Sequence, residues 1–227
     1  NSVNIAVAQG IDIFGNVIVG GQNPLINLSG ATINILGSIG TRRQSLSAGD
    51  DNGAANININ ATNNITIGSA GVVTADGADG GIISMKASTI NLSGYISANG
   101  LSGSGGYIDL SSNEFYIQNG RILANGSSGG TISVIGVSAG LLAVSNGFVQ
   151  TNGEAGPGGT IIFTTLGDIN LINSTLMANG FSAGGQVKLV SNSSSVALQN
   201  SVVQTNGGNG RGGQVGISGS VNTTLIN

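Results

Sequence analysis

The chain has 227 residues, 41 of them glycine and 2 proline, with no cysteine, histidine or tryptophan, which excludes disulfides, thiolate catalysis, histidine triads and ordinary zinc sites. Hydrophobic residues make up 39%, too apolar a composition for ordinary disorder. Charged residues are only 7% and the net charge is −3, so sequence-independent nucleic-acid binding has almost no electrostatic support.

Along the chain, apolar residues alternate with polar or small ones from the start: Ile5/Val7, Ile11/Ile13 and Val17/Val19. A second set follows at Ile26/Leu28, Ile33/Ile35 and Ile39, then an excursion at residues 41–54 that holds Arg42 and Arg43. A third set is Ile57/Ile59, Ile65/Ile67 and Val73/Ala75. Period-two alternation marks half-buried strands. No segment keeps a 3.6-residue period, and Gly, Asn, Ser and Thr are poor helix formers. No apolar run is long enough to cross a membrane as a helix, so no membrane insertion is expected. No basic-then-apolar leader opens the chain, which reads as a segment of a longer chain or a processed product.

From residue 73 onward a phrase recurs: aliphatic, any residue, Ala or Thr, Asn or Asp, Gly. Its copies end at Gly77, Gly100, Gly126, Gly153, Gly180 and Gly207. Each is followed by a doublet, as in Gly80-Gly81, Gly105-Gly106 and Gly129-Gly130. After each doublet come two alternating pairs, for example Ile108/Leu110 then Phe115/Ile117, and Ile161/Phe163 then Ile169/Leu171. Each repeat of about 26 residues thus predicts three short strands and three corners. A coil of that kind cannot bury its own apolar face; stacking on its neighbours builds a continuous core. The expected fold is all-β: a right-handed parallel β-helix (β-solenoid) with three strands per coil, eight coils and a partial ninth. Residues 1–227 form a single solenoid segment, with residues 41–54 as a surface loop and local recognition element.

Asn and Gly tolerate the positive φ that a sharp bend between short strands requires, and the corner residues Asn99, Asn125, Asn152, Asn179 and Asn206 fall in one slot of successive coils, which predicts a structural ladder of side-chain amides. Asp76 occupies the same slot. Asp50, Asp51, Asp76 and Asp79 sit in corresponding loops of adjacent coils, where four carboxylates either act as solvated turn residues or gather around a hard cation such as Ca²⁺. No other metal, no cofactor and no catalytic residue is predicted. On the first strand of each coil Asp109 faces outward without an acidic partner beside it, and Lys188 lies three coils away. This is not the paired-carboxyl arrangement of a glycosidase, so no enzyme is expected. Asn-x-Ser/Thr sequons occur at Asn27, Asn60, Asn64, Asn91, Asn125, Asn173, Asn192 and Asn222; in so Asn-rich a chain most read as compositional.

The Ala-Asn-Gly…Gly-Gly-x-Ile-x-Val phrase, seen in Ile122-Leu123-Ala124-Asn125-Gly126 and Gly129-Gly130-Thr131-Ile132-Ser133-Val134, resembles the filamentous haemagglutinin-like exoproteins of bacterial two-partner secretion. The resemblance is best over residues 55–227. It implies a right-handed parallel β-helix exported to the bacterial cell surface, working as an adhesin or matrix fibre. Some adhesins of that family carry sugars on Asn. Gln22-Asn23-Pro24-Leu25 departs from the family's Asn-Pro-Asn-Gly secretion motif, so the segment is assigned to the repetitive shaft.

The expectation is therefore a structural, adhesive β-solenoid rod, extracellular or at the bacterial cell surface, contributing to adhesion, biofilm matrix or fibre formation. Its expected partners are further copies joined end to end and glycans or proteins on host or neighbouring cells. The alternative is a carbohydrate-binding or polysaccharide-cleaving β-helix of the tailspike or lyase kind. It would draw its platform from Phe14, Tyr95, Tyr107, Phe115, Tyr116, Phe148, Phe163 and Phe181.

Overall fold

A computed structural model describes residues 2–20, 24–41 and 55–226. Among them every regular element is a strand, and every strand pairing is parallel. The chain winds into a β-solenoid of stacked coils, eight complete and a ninth partial.

The columns follow the repeat. On the first face Ile57, Ile83, Ile108, Ile132, Ile161, Val187 and Val215 lie over one another. On the second, Ile65, Ile90, Phe115, Leu142, Ile169 and Val196 do so. On the third, Ile39, Val73, Ile96, Ile122, Val149, Leu176 and Val203 form the stack. Their inward side chains make one continuous core, in which Phe115 and Phe163 are the largest fully buried groups. The glycine doublets are required by the close approach of the coils. A Cβ on Gly106 would run into the carbonyl oxygen of Gly81, and one on Gly105 into that of Ala124.

Three details differ from expectation. First, coil one pairs through Val3↔Ile26 and Ile5↔Leu28, two residues earlier than Ile5/Val7. A shift of two keeps every side chain on the same side of a strand, so alternation alone cannot set this register. Val7 instead sits at a corner, donating its N–H to Ser29 O at 3.0 Å.

Second, coils two to five do not have three separate strands. Leu25–Ile35, Asn56–Ile67, Ile82–Leu92 and Tyr107–Gln118 each run through the first corner, merging faces one and two into a single fourteen-stranded sheet. The corner column there is small: Gly30 pairs with Ala61, and Ala87 with Ser112. Such residues let the backbone bend without leaving its ladder, with register shifts at Gly30/Thr32 and Asn60/Asn64. From coil six onward the two faces are separate strands, Thr131–Gly136 and Leu142–Ser145 in coil six and Thr160–Thr165 and Ile169–Ile172 in coil seven.

Third, the left-handed corner asparagines are not those of the expected ladder. Positive φ occurs at Asn119, Asn146, Asn173 and Asn200, between faces two and three. Asparagine is among the few non-glycine residues that tolerate this region.

Candidate functional site

The asparagine ladder forms, with different chemistry from a stack of amides. The side-chain oxygen of each residue accepts the backbone N–H of its counterpart one coil on: Asn125 N to Asn99 Oδ1 at 2.9 Å, Asn152 N to Asn125 Oδ1 at 2.7 Å, Asn179 N to Asn152 Oδ1 at 2.9 Å, and Asn206 N to Asn179 Oδ1 at 2.7 Å. Only an acceptor is needed, so Asp76 serves equally, taking the Asn99 N–H at 2.6 Å. True amide-to-amide bonds occur elsewhere, on the outer side of face one. There Asn27 Nδ2 donates to Asn4 Oδ1 at 2.6 Å and Asn58 Nδ2 to Asn27 Oδ1 at 2.9 Å.

The same device employs other carboxylates. Asp79 Oδ1 accepts the Ser104 N–H at 2.8 Å, and Asp12 Oδ1 accepts Asn34 Nδ2 at 2.7 Å. Asp168 accepts the Ser195 N–H at 3.0 Å and the Ser194 hydroxyl. The Ser194 hydroxyl, followed by the Ser195 N–H, holds the Asp168 carboxyl below its ordinary range. Asp76 and Asp79 thus spend an oxygen on the next coil, while Asp50 and Asp51 lie outside the described residues. No group of three or more potential metal ligands comes together among the described residues.

Asp109 projects from face one between Ser84 and Ser133, and the register carries that column through Ile162 to Lys188, three coils away. Its Oδ1 is buried without a hydrogen-bond partner among the described residues. Tyr116 donates to Glu114 Oε2 at 3.2 Å; burial, then the Glu114 charge, raise the phenol's pKa. On face three Tyr95, Arg121 and Phe148 are successive members of one column, with the Arg121 guanidinium 4.9 Å from the Phe148 ring centroid. Of the sequon asparagines, Asn60, Asn64, Asn173, Asn192 and Asn222 are exposed, whereas Asn27, Asn91 and Asn125 are half-buried.

The feature that sequence reasoning missed is a groove of about 750 Å³ along the first corner. It runs from Val7 in coil one, past Ala31, Ala61 and Ala87, to Asn113 and Val137 in coils five and six. Five coil-to-coil steps at ~4.8 Å give it a length of roughly 24 Å. Ser29, Asn60, Thr62 and Ser88 supply polar groups along it, and Lys86 is the one charged residue in its lining among the described residues.

The groove stops where corner loops begin. In coils six and seven, residues 137–141 and 166–168 occupy the corner, and the later column hydroxyls bond to them. Thr165 Oγ1 donates within reach of Ser138 O (3.4 Å) and Gly140 O (3.3 Å), and Ser191 Oγ donates to Gly167 O at 2.7 Å. Ser112 in coil five has no loop beneath it, and its buried hydroxyl lacks a partner among the described residues. A sequence signal was present in part: the step from first to second apolar pair is longest in coil six (Val134 to Leu142) and coil eight (Leu189 to Val196), but in coil seven (Phe163 to Ile169) it equals that of coil three (Ile59 to Ile65). The length alone does not say whether the earlier corner is filled or open. Comparisons with family models, with curated proteins and with solved structures returned no match.

Proposed function

We propose that this chain is a structural, adhesive rod, extracellular or at a bacterial cell surface, contributing to adhesion, biofilm matrix or fibre formation. The observation that carries the reading is the unbroken axial stack. Every column repeats through the coils, so each added coil lengthens the rod without requiring a new fold. The resemblance to the shaft of filamentous haemagglutinin-like exoproteins supports the same reading, since a solenoid of this kind is compatible with such a shaft.

A β-solenoid presents one unpaired strand edge on each face at either end of its stack. Another coil, or the opposite end of another copy, would complete those ladders. End-to-end association is the partner interaction proposed first, and glycans or proteins on host or neighbouring cells come second.

Catalysis is not part of this reading. The carboxylates at Asp12, Asp76, Asp79 and Asp168 are engaged in coil-to-coil bonds, and Asp109 stands between two serines. The test is imaging of concentrated protein by electron microscopy with fibre diffraction, in parallel with a reducing-sugar assay on a polysaccharide panel. Filaments with an axial ~4.8 Å repeat are expected. Sugar release abolished by Asp109→Asn would instead establish the polysaccharide-cleaving alternative.

A further inference from the structure

The first-corner groove spans several coils, and the rod function does not require it. Its chemistry narrows what it could hold. The floor is built of methyl groups from Ala31, Ala61 and Ala87, while Asn60, Thr62 and Ser88 bring hydroxyl and amide groups. Among the described residues no carboxylate lines it, and exposed Lys86 has no ion-pair partner. In a chain with only 6 Lys and Arg and a net charge of −3, an unpaired cation in an acid-free groove favours an anionic ligand.

The shape narrows it further. The groove is long and runs along the coil axis, so it suits an extended polymer. A peptide adding itself as a strand needs a free sheet edge. Along this groove the strand backbones already pair coil to coil, as Leu25–Ile35 does with Asn56–Ile67 and Asn56–Ile67 with Ile82–Leu92. Recognition there must pass through side chains. Hydroxyls, amides and an ammonium group are the groups that bind sugar hydroxyls and carboxylates, and methyl groups suit the C–H faces of pyranose rings. The small-residue floor repeats over three successive coils, at Ala31, Ala61 and Ala87, which matches a ligand that repeats along its length.

We propose that the first-corner groove binds a segment of acidic, uronate-containing polysaccharide lying along the rod axis, with Lys86 on a carboxylate. The proposal rests on the adhesive reading above and supplies it with a site and a ligand class.

The experiment is isothermal titration calorimetry of the full chain with oligogalacturonate, its methyl ester and poly-glutamate. Oligogalacturonate is expected to bind, with the neutral ester weaker by about tenfold, the loss of one charge-assisted contact. Lys86→Gln should reduce oligogalacturonate affinity by about the same factor and leave the ester unaffected. Thr62→Trp places a large ring in the groove from an exposed position and should abolish both. Lys188→Gln, on the first face at the far end, should change nothing. Circular dichroism of each variant confirms that the fold is kept, and Thr62→Tyr replaces the tryptophan variant should it misfold.

Wild-type affinity in Lys86→Gln and the groove-filling variant overturns the proposal, as does an equal loss in Lys188→Gln. Poly-glutamate binding as tightly as oligogalacturonate, or no binding of oligogalacturonate to the wild type, overturns it too. Filaments seen by imaging alongside absent uronate binding would leave the rod reading standing while removing this one.

Discussion

Coils two to five and coils six to eight solve the same problem, turning the chain between faces one and two, in different ways. In the earlier coils the strand bends without interruption over Gly30, Ala61, Ala87 and Ser112, and the outside of the corner is left as a groove. In the later coils the chain leaves the ladder, makes a loop and returns. Hydroxyls at Thr165 and Ser191 tie those loops down. The core beneath continues through both regions, with inward side chains buried as far as coil eight, where Val203 is half-buried. The comparison teaches that the repeat governs the interior, whereas the corner is free to vary and is where a specific surface can arise.

The largest effect should be the same in both regions. Phe115→Ala in coil five and Phe163→Ala in coil seven each empty a fully buried site, at about 3–5 kcal/mol by urea or guanidinium unfolding. A cost confined to one of the two would show that the core is not a single continuous stack.

The ladder comes next. Asn152→Ala removes the acceptor for the Asn179 N–H and should cost about 1–3 kcal/mol, the price of a part-buried donor left unpaired. Asn152→Asp keeps the acceptor, as Asp76 does naturally, and should cost less than half as much in the same unfolding experiment at pH 7.

The corner itself gives a sharper contrast. Thr165→Val removes a hydroxyl bonded to the loop at Ser138 and Gly140 and should destabilise by about 0.5–1.5 kcal/mol, with faster hydrogen exchange in residues 137–141. Ser112→Ala removes a buried hydroxyl that has no partner among the described residues, so thermal unfolding should find it neutral or mildly stabilising. Equal losses at both sites would erase the distinction between filled and open corners.

The smallest effect is a matter of pH. Asp168 is held below the ordinary carboxylate value by Ser194 and Ser195 in the coil above. Its carboxylate is therefore favoured in the folded chain. The stabilisation is complete above the unfolded pKa and is lost as pH falls through the lower folded value. NMR titration should show Asp168 protonating below 3.8, and Ser194→Ala should move it back up.

Much of this molecule was legible in the amino-acid order. The vertical neighbours Val149, Leu176 and Val203 follow from the spacing of one short phrase, because each copy must place its aliphatic group on the same face of the same strand. The positions of the ladder from Asn99 to Asn206 follow in the same way. Their bonding did not: an asparagine in register can offer its oxygen or its nitrogen, and only the placement of the next coil's N–H selects the oxygen. The corner bearing positive φ was likewise missed. Asn119 and Asn146 precede glycine just as the ladder asparagines do, and backbone handedness depends on the direction in which the following strand departs.

What the sequence determined by itself is periodic: strand count per turn of the later coils, coil length, the inward columns and the sites of the ladder. These arise from local alternation multiplied by repetition, and repetition makes even weak local preferences decisive. Tertiary structure decided the rest: the register of the first coil, the merging of two faces in coils two to five, the atoms used in the ladder and the open groove. Each of those depends on how one coil meets the next across a corner, a distance in space that spacing along the chain does not encode.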